Sequence, residues 1–158
     1  GYRYNDSPRA IYEKMLELGI ADDYKVVWAL NEPEIYDIPG HASKVKMDTI
    51  DYFLTALKAK YWISCVNIER GLRFKKDNQV YLNTWHGASL NYVGNAVSGR
   101  KDFDFSHIDY FCYNGEYERE FIKRDFNVRD EALIPTGYPR NDALYEAKRT
   151  GKNKTVVF

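Results

Sequence analysis

Short apolar blocks alternate with longer amphipathic stretches along this chain. Ile11, Met15 and Leu18 recur at i, i+4 and i+7, which predicts a helix. Ser7-Pro8 opens it with a hydroxyl cap and a proline at the first helical position, and Gly19 stops it. Tyr24 to Leu30, built around Val26-Val27-Trp28, reads as a buried strand. Asn31 to Gly40 carries two prolines and a glycine and is a loop, and Val45 marks a short strand. Asp48 is expected to cap a second helix with the apolar face Ile50, Phe53, Leu54 and Leu57. Lys58 and Lys60 suit the negative end of its dipole.

The pattern continues with strands at Tyr61 to Val66, Val80 to Thr84, Tyr110 to Tyr113 and Ala132 to Ile134. Asn67 to Asn78 is a polar, basic surface loop. Gly87 to Phe105 is a long loop in which Gly94 and Gly99 suggest flexibility. A helix begins at Asn114, with Glu116 and Glu118 in its first turn and Lys123 and Arg124 near its end. A short helix from about Asp142 to Lys148, a polar linker from Arg149 to Lys154 and a strand over Thr155 to Phe158 complete the chain. Strands alternating with helices predict an α/β fold, a Rossmann-like parallel sheet with flanking helices and right-handed crossovers.

The chain has 158 residues, enough for one domain with a real core. Residues 1–150 are expected to form that domain and 151–158 to open a second one, making the chain a fragment of a longer protein. Lys plus Arg is 23 and Asp plus Glu is 23, a balance that argues against a nucleic-acid partner driven by counterion release. The 14 tyrosines suit either a ligand-lined surface or a core with satisfied hydroxyls. Cys65 and Cys112 sit in apolar runs without metal-ligand spacing and read as buried free thiols. No 18-residue apolar stretch or signal peptide is visible.

Asn83-Thr84-Trp85-His86-Gly87 brings the strand over Val80 to an end on a histidine and a glycine. Open parallel sheets place their ligands at the carboxyl ends of strands, and imidazole is suited to proton transfer near neutral pH. His86 is therefore either a general base or a histidine satisfied by local hydrogen bonds. His41, in a loop, and His107, before a strand, read as solvated and structural respectively. Gly137-Tyr138-Pro139-Arg140-Asn141-Asp142 forms a second constellation. Arg140 offers a planar fork for phosphate or carboxylate, and Asn141 or Asp142 can cap the next helix; pairing of Arg140 with a nearby acid is the plainer alternative. Arg9 lies near a helix amino end, where a cation is poorly placed, so it is either exposed or facing an anionic partner. The basic loop with Arg70, Arg73, Lys75 and Lys76 is either solvated or touches anionic lipid or polymer.

Three segments together resemble one family. They are Tyr4-Asn5-Asp6-Ser7-Pro8-Arg9-Ala10-Ile11-Tyr12-Glu13, Asn83-Thr84-Trp85-His86-Gly87-Ala88-Ser89-Leu90 with Gly94 beyond, and Gly137-Tyr138-Pro139-Arg140-Asn141-Asp142. In order and spacing they are similar to motifs of the CDP-glycerol glycerophosphotransferases, which build teichoic acids and related capsule polymers. The family usually has Thr-Pro-Leu-Lys after Trp-His-Gly; Ala88-Ser89-Leu90-Asn91 here loses a proline and a positive charge.

The resemblance implies the amino-terminal, acceptor-side half of a two-domain GT-B architecture. It implies His86 as catalytic base, with Trp85, Gly87, Arg140, Asn141, Asp142 and Arg9 around the substrate. The donor is a CDP-activated polyol, and the acceptor a lipid-linked polyol phosphate or glycan. No cofactor and no metal are assigned. The expected location is cytoplasmic, peripheral at the inner face of the cell membrane, with membrane contact made by parts outside this chain. The chain alone is expected to be inactive. A nucleotide-sugar glycosyltransferase of GT-B fold and a non-catalytic binding module are the alternatives.

Overall fold

The computed structural model describes residues 2–69, 71–87 and 91–146. Arg70, the Ala88-Ser89-Leu90 run, the expected helix end at Lys148, the linker and the last strand lie outside these residues. The order of elements is α1 (Asp6–Glu17), β1 (Val27–Leu30), β2 (Ser43–Lys46), α2 (Ile50–Lys58), β3 (Tyr61–Ser64), β4 (Val80–Asn83), β5 (Tyr110–Cys112), α3 (Glu116–Phe126), β6 (Leu133–Ile134) and α4 (Asp142–Glu146).

The expected parallel α/β alternation is present, divided between two sheets. Strands β1 and β2 pair in parallel with Val27 opposite Ser43. The other four form a parallel sheet in the order β3-β4-β5-β6, with Tyr61 opposite Val80, Leu82 opposite Tyr110 and Phe111 opposite Leu133. Parallel pairing places Ser64, Asn83, Cys112 and Ile134 at one common carboxyl edge. One face of this sheet carries the core. Trp62, Tyr81 and Phe111 pack there with Ala56 of α2 and Phe121, Ile122 and Phe126 of α3. Phe111, Ile122 and Phe126 are fully buried, and each such side chain contributes about 1.5–3 kcal/mol of apolar burial.

Several local expectations give way to tertiary contacts. Asn5, not Ser7, occupies the cap position of α1. Ser7 lies inside the first turn, fully buried, and Pro8 follows where an amide would have no helical partner. Thr49, not Asp48, caps α2, accepting from the Tyr52 amide at 3.2 Å. The buried face of α2 is Tyr52 and Ala56, whereas Ile50 and Leu54 are exposed. This rotation lets the Tyr52 hydroxyl donate to the Ile68 carbonyl at 2.9 Å and puts the Ala56 carbonyl under the Trp62 indole N–H at 2.9 Å. Gly19, left-handed at φ 70°, does end α1, but Leu18 is exposed.

The long loop after β4 is fastened at Gly94 and Asn95. Gly94 is buried, and a Cβ there would lie 2.1 Å from the Asp125 carbonyl oxygen at the end of α3. Glycine is present because the two backbones touch, not to supply flexibility. The Asn95 side chain then bridges Phe103, donating to its carbonyl at 2.7 Å and accepting from its amide at 2.9 Å.

Candidate functional site

The turn that presents His86 begins inside the sheet. Period-two alternation puts Tyr81 and Asn83 on the core side. The buried Asn83 side chain accepts from the Trp85 amide at 2.8 Å and donates to the Val66 carbonyl at 3.1 Å. Trp85 takes a left-handed backbone at φ 52°. Such a conformation costs a non-glycine residue about 1–2 kcal/mol; here the Asn83 bond and ring packing against Phe126 and Phe111, at centroid distances of 4.6 and 5.9 Å, hold it. The indole turns back to the core, and His86 is delivered to the carboxyl edge as an exposed residue. Its ring lies against the indole at 4.0 Å between centroids and 33° between planes.

The imidazole is oriented by a backbone group. His86 Nδ1 is 2.7 Å from the carbonyl oxygen of Cys65, one residue beyond β3. A carbonyl only accepts, so Nδ1 is a donor, and in the neutral imidazole the lone pair therefore lies on Nε2. That is the tautomer a general base needs. Burial pushes the Cys65 thiol up, which keeps it protonated and unreactive. Both cysteines are buried and free, as expected.

The second constellation reaches the first through Arg140. Its Nη1 bonds Asp6 Oδ2 at 2.7 Å, and its Nη2 donates to the His86 carbonyl at 2.9 Å. The Arg140 amide points at Ser7 Oγ, 3.4 Å away. The turn before it is fastened to α3: the Tyr138 hydroxyl donates to the buried Glu118 carboxylate, whose other oxygen accepts from the Asn114 amide at 2.6 Å. Burial first, and this carboxylate second, push the Tyr138 hydroxyl well above the usual tyrosine range.

Thus the structure gathers His86, Trp85, Gly87 and Arg140. Asn141 closes the 3-10 turn at Pro139–Asn141 by donating its amide to the Tyr138 carbonyl at 2.9 Å. Asp142 is the exposed first residue of α4. Neither has a described contact with His86. Arg9 faces away, paired with Glu13 at 2.7 Å and stacked over the Tyr4 ring at 5.1 Å. The basic loop is also tied to the protein's own groups: Arg73, still exposed, pairs with Asp104, the covered Lys75 with Asp109 at 3.1 Å, and the exposed Lys76 donates to the Leu57 carbonyl at 2.9 Å. Sequence reasoning missed Asp6 and the Cys65 carbonyl. A capping motif masked the first, and a backbone atom leaves no residue signature for the second.

Among the described residues, no group of three or more His, Cys, Asp or Glu could hold a metal ion, and no helix is long and apolar enough to cross a membrane. The chain is 31% identical over 157 residues to a teichoic acid poly(glycerol phosphate) polymerase of Staphylococcus epidermidis, covering 91% of this chain and 21% of that protein. It is 27% identical over 158 residues to a teichoic acid glycerol-phosphate transferase of Staphylococcus aureus, covering 91% of this chain and 40% of that one. A solved structure of the wall teichoic acid polymerase TagF matches with a TM-score of 0.79 at 30% identity, over 92% of this chain and 38% of that chain. The chain therefore spans between about a fifth and two fifths of these curated relatives. With residues 1–156 matching the family model, the chain belongs to the CDP-glycerol:poly(glycerophosphate) glycerophosphotransferase family.

Proposed function

We propose that the full-length protein carrying this chain transfers glycerol phosphate from CDP-glycerol to a hydroxyl of a membrane-anchored teichoic acid or capsular polymer and releases CMP. His86 Nε2 takes the proton of the acceptor hydroxyl. The freed oxygen attacks the β-phosphorus, an O–P bond forms, and the bond to the α-phosphate breaks so that CMP leaves. The observation that carries this reading is the Nδ1 bond to the Cys65 carbonyl, which turns Nε2 away from the protein's own acceptor on an exposed residue at the carboxyl edge. A structure of a TagF variant soaked with CDPG, matching with a TM-score of 0.81, supports the choice of donor.

In this reading residues 1–150 form the acceptor-side half of a GT-B enzyme, and 151–158 open the donor-side half that clamps the diphosphate. Trp85 and Gly87 form the wall and floor behind the base. The protein works at the cytoplasmic face of the membrane, held there by parts outside this chain.

The test is CMP release by the full-length protein from CDP-glycerol with a lipid-linked acceptor, beside His86→Ala. Release that falls by about 10²–10⁴-fold in the variant supports donor and base together. Release that survives in the variant removes His86 as the base. A nucleoside diphosphate and a glycosidic bond from a sugar donor, with no CMP from CDP-glycerol, would establish a glycosyltransferase instead.

A further inference from the structure

Arg140 has the chemistry of a phosphate clamp, but its terminal nitrogens already have protein partners. We propose that Asp6 and Arg140 form a strut that sets the position of His86, which makes both of them positioning residues rather than substrate contacts. The inference rests on the reading of His86 as the base.

The fork of Arg140 joins segments far apart in sequence: Nη1 to Asp6 Oδ2 at 2.7 Å, and Nη2 to the His86 carbonyl at 2.9 Å. Asp6 is committed to this contact. It sits at φ 61°, a left-handed backbone that a non-glycine residue keeps only when its surroundings hold it there. Both carboxylate oxygens are used, Oδ1 by the Ser7 amide at 2.7 Å and Oδ2 by Arg140. The fully buried Ser7 next to it meets the Arg140 amide. At the other end, Gly87 at φ 148° lies beside the guanidinium, and a Cβ there would come within 3.7 Å of Nη2. His86 is thereby held from two sides, its ring by the Cys65 carbonyl and its own carbonyl by Arg140. The Trp85 indole backs the ring at 4.0 Å, and the residue is otherwise exposed. The guanidinium presents a separate nitrogen to each partner in a fixed plane, whereas an ammonium would have to serve both from one nitrogen and holds neither direction.

The test uses Asp6→Asn, Arg140→Lys and the double variant of the full-length protein. Each single variant is expected to lower kcat for CMP release by about 10- to 100-fold, the cost of misplacing a base by about an ångström. KM for CDP-glycerol stays within about twofold, and the double variant loses no more than the worse single one. The labelling rate of His86 by diethyl pyrocarbonate, read by peptide mass spectrometry, changes in both single variants. That of His107, held against Glu69, stays parental. Arg140→Lys that raises KM at parental kcat, beside an unaffected Asp6→Asn, makes Arg140 a phosphate contact and overturns the proposal. Labelling that rises at His107 in step with His86 means general loosening and also overturns it. If the parent releases no CMP, the functional reading falls and labelling alone decides: an altered His86 rate keeps the strut and an unaltered one removes it.

Discussion

His86 is exposed at the carboxyl edge, one ring nitrogen held by the Cys65 carbonyl and the other open. His107 lies on the approach to β5 with its Nε2 against Glu69, whose side chain is only 2% exposed. Burial pushes the Glu69 carboxyl up, but His107 and the Lys75 and Phe74 amides outweigh it and hold it below the usual range. Around His107 the charges close on one another: Lys75 on Asp109, Arg73 on Asp104 and Arg129 on Glu131. Around His86 the partners are the Cys65 carbonyl, the Arg140 guanidinium and the Trp85 ring, and among the described residues no carboxylate meets the imidazole. The same side chain is held against a buried carboxylate in one region and left with one ring nitrogen open in the other. Partner type, not residue type, separates the two histidines.

The comparison breaks most easily at the exposed ring. His86→Gln is expected to cut turnover of the full-length protein by about 10³-fold while leaving its melting temperature at the parental value, as kinetics and calorimetry on one sample would show. The next largest effect falls on the segment joining the two histidines. Gly94→Ala drives a Cβ into the Asp125 carbonyl and should destabilise by about 3 kcal/mol in urea unfolding.

His107→Gln is the mirror of His86→Gln. It takes the imidazole partner away from the buried Glu69 carboxylate and should cost about 2 kcal/mol, the scale of a buried acceptor left short of a hydrogen bond. Activity per folded molecule should not change. The smallest effect is on the acid side. The Glu69 carboxyl titrates lower folded than unfolded, so its contribution is complete above its unfolded value of about 4.3 and fades as pH falls through the folded one. Urea midpoints between pH 6 and pH 3 should drop more steeply in the parent than in Glu69→Gln; equal slopes would remove the pair as a source of stability.

Most of the fold was legible because its signals are periodic. Alternating apolar blocks and amphipathic stretches placed each described strand and helix, with ends shifted by a few residues. What failed was local chemistry overruled by distant partners. Ser7-Pro8 carries a sound capping signal, yet Ser7 is taken by Arg140, 133 positions away. Ile50 and Leu54 match a helical apolar face, but Tyr52 needs the Ile68 carbonyl and turns the helix. Gly94 advertised freedom and supplied close approach instead. At the site, His86 and Arg140 stood out by residue type and context. Asp6 was hidden inside a capping motif, and Arg9, equally basic, proved to be spent on Glu13.

The bond that selects the tautomer of His86 has no side chain on its accepting end. It cannot be deleted by a point substitution at position 65, so the imidazole's protonation pattern is insulated from drift there. Replacements of Cys65 that preserve the chain path leave the proton on Nδ1. In comparisons among family members, any small side chain that fits the buried position 65 is then expected to keep that property constant.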